Sequence, residues 1–450
     1  MKLFWRRSIY IAFFGIFFIL APFLVISSSG FRLNLKKMRL EKIGILVFET
    51  KPKEANIYID GKKIADKTPA QFNNFFPGNY NVIIEKPGYY PWNKTLTVKS
   101  QETTFAKGII LFKKSLPVLK IESLTDNLKY IGNKQSIIYV NKNNELEIYN
   151  LSSKQTKTVL ELQKDESADL KNSIISPEGN KLALEIGFHN TISLAVIDLN
   201  SGNIIKLQKI TGSDLTRLKW DLNNENLIYG ITDQSLYRID LTSQTAEKIL
   251  AKPLKDYLIN GFNIYYITEN NFLVQQRLYD KTLNEIKLPP DSDYFLSELK
   301  NGLLILHDSK NSDLMALDED AFFEPQKIDQ NILLQIKADK TSLNDDKTDL
   351  LYYTDFELAI YDFKSKKEYL LTRLSEEIDN AFWFSDNKYV LYESGGKIKI
   401  IELDSKDRRI DITLATADEI FVSFFNPVDN KIYFTGKIGH QIGLFELETI

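Results

Sequence analysis

Hydrophobic and polar positions change period three times along the chain. From Ser8 to Phe31 no residue is charged, and Ile9 to Ile26 is almost wholly apolar. About 20 such residues in helical form cross a ~30 Å hydrocarbon core, so a transmembrane helix is predicted over 8–28, behind a short tail at 1–7. Pro22 fits such a helix, because neighbouring groups take up the freed carbonyl. A cleaved secretory signal is the alternative. Its apolar region usually spans ~7–15 residues, and Val25-Ile-Ser27 is a poor cleavage site, so a retained anchor is expected. After a stem at 29–44 the pattern becomes strict alternation. Ala55, Ile57 and Ile59 share one face, and Tyr80, Val82 and Ile84 share another, as in half-buried strands. Asp60-Gly61 suits a tight hairpin. Pro77-Gly78 and Pro87-Gly88 are further turn pairs, with Gly expected in the left-handed conformation. About six short strands over 45–105 predict a small β-sandwich, with a linker at 106–117.

From 118 to 450 the pattern repeats. A short apolar strand precedes a second strand that ends in an apolar–acidic–apolar group. The endings are Ile148-Tyr-Asn-Leu151, Val196-Ile-Asp-Leu199, Arg238-Ile-Asp-Leu241, Arg277-Leu-Tyr-Asp280, Leu314-Met-Ala-Leu-Asp318, Ile360-Tyr-Asp-Phe363, Ile400-Ile-Glu-Leu403 and Leu444-Phe-Glu-Leu447. Their spacing of roughly 42 residues is that of four-stranded propeller blades. The chain is therefore read as mainly β, with a seven- or eight-bladed β-propeller and eight blades expected. Ser176-Pro-Glu-Gly179 joins two strands of the clearest unit, with weaker copies at Phe384 to Tyr389 and Phe425 to Lys431. These units resemble the blades of WD-repeat-like and TolB-type propellers.

The small β segment carries a second resemblance. Pro52, Ala55, Asp60, Gly61, Thr68, Pro69, Pro77, Gly78, Tyr80, Gly88 and Tyr89 follow in the order and spacing of a PEGA domain. Glu54 departs from that pattern, standing where the family usually has Gly. The resemblance implies an extracytoplasmic envelope module of bacteria or archaea, with a binding or spacer role rather than an activity. Turn geometry alone explains most of these residues. Tyr89, Tyr90 and Trp92 are expected to close the end of a core rather than form a ligand platform.

Composition narrows the chemistry. Lys plus Arg is 57 against 60 for Asp plus Glu, a net charge of −3, which argues against nucleic-acid binding. With no cysteine, disulfides, thiolate metal sites and Cys nucleophiles are excluded. His189, His307 and His440 fall in separate repeats, and no nucleophile elbow, zinc-helix motif or phosphate loop is present. His307-Asp308 are strand neighbours and so point to opposite faces. Asp318-Glu-Asp320 and Asp345-Asp346 with Asp349 lack calcium-loop spacing, and no metal or cofactor is expected.

Orientation rests on Lys2, Arg6 and Arg7 before the apolar run, set against Arg32, Lys36, Lys37 and Arg39 after it. Long domains translocate largely regardless of charge, so an inside N-terminus and an outside body are expected. The stem between Phe31 and Lys42 either lies along lipid or is solvated. The expected function is a membrane-anchored, non-catalytic binding or scaffold protein for an envelope protein or cell-wall polymer. The alternative is an extracytoplasmic propeller hydrolase or lyase acting on carbohydrate, and a pure spacer is a third possibility. Three carboxylates converging in a central funnel would favour the enzyme. A funnel lined by Lys, Asn and Ser would oppose it.

Overall fold

The computed structural model describes residues 3–28, 30–34, 38–189, 191–300, 302–322, 332–338, 340–344, 346, 348–384 and 387–450. The chain forms two compact units. The first combines Met1–Leu116 with Ile401–Leu414 and Glu448–Ile450, and the second combines Pro117–Ile400 with Ala415–Leu447. The first unit is thus not the contiguous stretch that periodicity suggests.

In the first unit, helix α1 covers Leu3–Ser28 and contains Pro22. Side chains in α1 are described for 8–22, 24 and 25, so the expected span at 8–28 lies in part outside the described residues. Among the described residues, no helix is long and apolar enough to cross a membrane. The stem is folded: β1 (Phe31–Asn34) pairs antiparallel with β2 (Arg39–Lys42), Phe31 opposite Lys42. Its alternation of basic and apolar residues is therefore the two-residue period of a hairpin.

Seven more strands follow: β3 (Gly44–Lys51), β4 (Asn56–Ile59), β5 (Lys62–Lys67), β6 (Ala70–Phe75), β7 (Gly78–Glu85), β8 (Trp92–Val98) and β9 (Thr103–Ile110). They build one sheet ordered β5-β4-β7-β8 and another ordered β6-β3-β9. Alternate residues of each inner face meet in one core of Leu46, Phe48, Ala55, Ile57, Val82, Ile84 and Leu96, joined by Ile410 from the distant segment. The alternation at 55–59 and 80–84 thus marks the buried faces. The β structure runs past the expected boundary at 105, since β9 continues to Ile110 alongside β3.

Eight further four-stranded sheets lie mostly in the second unit. Sheet 1 runs from its first strand Glu419–Asn426 through Lys431–Ile438 and Gln441–Glu448 to Val118–Glu122 as its fourth. Sheets 2 to 8 occupy 128–161, 166–206, 216–250, 254–287, 294–337, 340–373 and 378–416. All eight repeat endings fall on or directly after the third strand of a sheet, and all eight preceding apolar runs fall on the second. These strands are buried on both faces, as Leu350 to Tyr353 are at every position, which is why they read as continuous apolar runs.

Apolar clusters bridge each sheet to the next. Sheets 1 and 2 share Tyr433, Leu444 and Ile137. Sheets 2 and 3 share Ile138 and Leu182, and sheets 3 and 4 share Val196 and Ile228. Sheets 4 and 5 share Ile231 and Tyr257, sheets 5 and 6 share Tyr265 and Leu304, and sheets 6 and 7 share Ile305 and Tyr352. Trp383 Nε1 of sheet 8 donates to Ser342 O of sheet 7 at 3.0 Å. Phe384 meets Phe425 of sheet 1 at 4.6 Å between ring centroids. The contacts close a ring of eight, consistent with a β-propeller in which each sheet covers its neighbour's face.

Candidate functional site

The PEGA-like motif residues turn out to be builders of backbone. Asp60 and Gly61 both have positive φ, 49° and 76°, between the paired Ile59 and Lys62, which is the tight hairpin predicted. Asp60 Oδ1 also accepts the Asn81 N–H at 3.0 Å. Gly88 is left-handed at φ 83°. Gly78 is not: it begins β7 without positive φ, and a Cβ there would meet nothing within 4 Å. The chain bend is made before it, where Tyr80 donates its hydroxyl to Phe76 O at 2.9 Å and packs edge-on against Phe75. Glu54, at the position where the family has Gly, has φ 62°. That conformation costs a residue with a Cβ and not a glycine.

Pro52 and Pro69 both follow cis peptide bonds. Between them, Thr68 is 1% exposed and ties the sandwich together. Thr50 donates to Pro52 O at 2.7 Å, so the Thr68 hydroxyl donates to Thr50 at 2.6 Å and accepts the Ala55 N–H at 3.0 Å. Thr68→Val keeps the shape and strands two buried polar groups, an expected loss of about 2 kcal/mol, read from the denaturation midpoint. Trp92 is buried in the core and Tyr89 packs against it, whereas Tyr90 is half-buried with Lys114 over its ring at 5.4 Å.

The recurring acidic residue of the ring has an equally local task. Asp198 Oδ1 accepts the N–H groups of Asn200 and Ser201, Asp240 those of Thr242 and Ser243, and Asp362 those of Lys364 and Ser365. Asp280 does the same for Thr282, and Asn150 for Ser152 and Ser153. Each side chain closes the turn after the third strand. Backbone hydrogen bonds from Ser243 and Ser365 pull Asp240 and Asp362 below the usual carboxylate range. At Asp198 burial pushes up, but the bonds from Ser201 and Asn200 outweigh it.

A depressed folded pKa gives stability that is present above the unfolded value near 3.8 and is lost as pH falls through the folded one. Burial pushes Glu393 and Glu402 the other way, so these two lose stability as pH rises above about 4.5. The melting temperature is expected to hold or rise slightly from pH 7 to 5 and to fall below pH 4. Asp240→Ala with Asp362→Ala should flatten the acid limb in a pH series of thermal melts.

Among the described residues, the histidines and acidic clusters set aside as sites above do not come together. His189 and His440 are exposed. His307 stands 3.5 Å from Thr341, and burial lowers its pKa. Its neighbour Asp308 is spent on the Asp293 and Lys310 N–H groups and the Asn311 amide. Glu319 accepts from Tyr265 and Gln275, and Asp349 from Asn344 and Thr348. Asp345 and the Asp320 side chain lie outside the described residues. Among the described residues no group of three metal-ligating side chains is found.

What the first strands do bring together was not read from the sequence. Lys219 of sheet 4 pairs with Asp256 of sheet 5 at 3.0 Å, and Arg217 lies over Phe295 of sheet 6 at 4.2 Å. At the ends of the first strands of sheets 7, 8 and 1 a cavity of about 460 Å³ opens. Aromatic rings of Tyr130, Phe382, Trp383 and Phe424 line it together with Asn380, Asn387, Ser342 and Ser423. No described side chain on its lining is charged. The first unit has its own cleft of about 550 Å³ between β8, β9 and residues 402–407, with the buried Lys94–Glu402 pair beside it.

With this geometry in hand, the small sandwich can be matched to known domains. Residues 43–108 match the PEGA domain. The match exceeds the expected 45–105 by a few residues at each end, in line with the extent of β3 and β9. No curated protein sequence is similar enough to the whole chain to extend the assignment beyond the PEGA domain. Among solved structures the ring is similar to dipeptidyl peptidase 4 of Porphyromonas gingivalis, at 10% identity and a TM-score of 0.50 over 74% of this chain and 60% of that one. It is also similar to Sqt1 of Saccharomyces cerevisiae, at 11% identity and 0.48 over 75% and 98%. Oligogalacturonate lyase of Vibrio parahaemolyticus gives 10% and 0.44 over 74% and 98%. At 10% identity the likeness to the peptidase is one of fold alone, and a β-propeller-like fold for the second unit is what it supports.

Proposed function

We propose that the chain is a membrane-tethered, extracytoplasmic binding protein whose PEGA domain and eight-bladed propeller hold an envelope protein or cell-wall polymer without transforming it. The observation that carries this reading is the cavity at the ends of the first strands of sheets 7, 8 and 1, whose described lining is aromatic rings, amides and hydroxyls rather than the converging carboxylates of a glycoside hydrolase. The carboxylates of Asp198, Asp240, Asp280 and Asp362 are committed to turns, and those of Glu402 and Glu446 to lysines. Glu393, the acid in the ring with a raised pKa, is 4% exposed and bonded to Asn380 and Ser423. The tether rests on α1, whose 26 residues extend about 39 Å at ~1.5 Å each. Ile11, Phe18 and Ile19 on it are 73%, 70% and 74% exposed, which lipid would cover.

The test has two arms. Protease added to intact cells should digest the body while alkaline washing leaves the chain in the membrane. Cross-linking at the cell surface followed by mass spectrometry should recover a defined partner. Release by alkali would remove the tether, and liberation of reducing sugar ends from envelope polysaccharide would replace binding with catalysis.

A further inference from the structure

We infer that the cavity at the ends of the first strands of sheets 7, 8 and 1 is a binding site for an uncharged sugar unit. The inference rests on the binding reading above and names the ligand class of that site. At about 460 Å³ the space lies within the ~300–1,000 Å³ of small-molecule pockets.

Its lining selects the chemistry. A charged ligand would lose its hydration with no described counter-charge on the wall. A wholly apolar ligand would desolvate the amides of Asn380 and Asn387 without pairing them. A sugar ring satisfies both constraints, with C–H faces for the aromatics and hydroxyls for the amides.

The wall is also held in place. Tyr130 stacks on Phe424 at 4.2 Å and 17°, and Phe424 on Tyr433 at 5.7 Å and 15°. The Trp383 indole is fixed by its bond to Ser342 O. Behind the wall, the buried carboxylate of Glu393 accepts from Asn380 Nδ2 at 3.4 Å and from the Ser423 hydroxyl. That bond commits the amide nitrogen of Asn380 to Glu393 and leaves its carbonyl oxygen as the group that can accept from a ligand hydroxyl. A buried acid that holds a cavity amide and a cavity hydroxyl in place is the support a preorganised polar site uses.

An aromatic side chain of a protein partner would meet the rings equally well, but it would offer no hydroxyl to the Asn380 carbonyl or the Asn387 amide. The full-length chain in nanodiscs is titrated with cellobiose and with N,N′-diacetylchitobiose, following tryptophan fluorescence and heat. One of these neutral sugars is expected to bind saturably, and Asn387→Ala to weaken it about tenfold without lowering the melting temperature. Trp383→Phe should abolish the fluorescence change. Asn380→Ala should weaken binding as well, and Asn387→Ala, which does not touch Glu393, guards against a folding artefact. No saturable binding of either sugar overturns the inference. So does tighter binding of digalacturonate, competition by the peptide Gly-Trp-Gly at lower concentration, or unchanged affinity in Asn387→Ala. None of those results alters protease accessibility or cross-linking at the cell surface, so the broader reading stands or falls separately.

Discussion

Replacing Lys94 by methionine is expected to destabilise the first unit by about 3–5 kcal/mol, the usual cost of removing one member of a buried ion pair. The Lys94 side chain is fully buried, with Nζ 2.8 Å from Glu402 Oε2, 2.9 Å from Asp404 O and 3.5 Å from Asp404 Oδ2. The ammonium also lies 5.9 Å from the Trp92 ring. Burial already pushes the Glu402 carboxyl up against the pull of Lys94. Without the lysine, burial would push that carboxyl up with no ammonium to oppose it, or the 401–414 segment would leave its place. Hydrogen exchange should show β8 and residues 401–414 losing protection together in Lys94→Met, with sheets 2 to 6 unchanged. Adding Glu402→Leu should recover most of the loss, because an apolar pair of similar volume carries no desolvation cost. A single variant as stable as the parent would show that the pair holds nothing together.

Lys219→Met is the second large effect, expected at about 3 kcal/mol in the ring. Asp256 beside it is 2% exposed, and its other oxygen accepts the Leu296 N–H at 2.9 Å. Lys219 also donates to Tyr257 O, so its ammonium joins the first strands of three consecutive sheets. Burial lowers its pKa, with Asp256 opposing. Losing it leaves a carboxylate inside the ring with one hydrogen bond. The first denaturation transition of the ring should move to lower urea, and Asp256→Asn on the Lys219→Met background should restore part of the difference. Equal midpoints for parent and single variant would count against the tie.

These two lysines also mark where sequence reading stopped. Second and third strands were legible because both of their faces are buried, leaving runs such as Asn263-Ile-Tyr-Tyr266 on the page. First strands were not. They mix burial with charge, as in Thr216–Trp220, where Thr216 and Arg217 are exposed and only Trp220 is buried, and their polar residues meet partners on other sheets rather than along the chain. Lys94 sits in Asn93-Lys-Thr95, a stretch that reads as solvated, and its partners come 310 positions later. The hairpin at Asp60-Gly61 was legible because two positive φ angles need those residue types. Gly78 was misplaced because a Pro-Gly pair has the same spelling in a turn and at the start of a strand. The cavity was invisible for the same reason as the first strands, since Asn380 and Tyr130 meet only after the ring closes.

The three-segment makeup of the first unit bears on how the protein is born. The PEGA strands leave the ribosome early, yet Lys94 has no carboxylate until residues 402 and 404 follow, and Lys113 waits for Glu448. A chain cut short anywhere before residue 401 therefore keeps a naked cation in the sandwich wall and lacks Ile410 from its core. Residues 401–414 and 448–450 are what seal the earliest-made domain, so truncated products should be cut by proteases first in the sandwich.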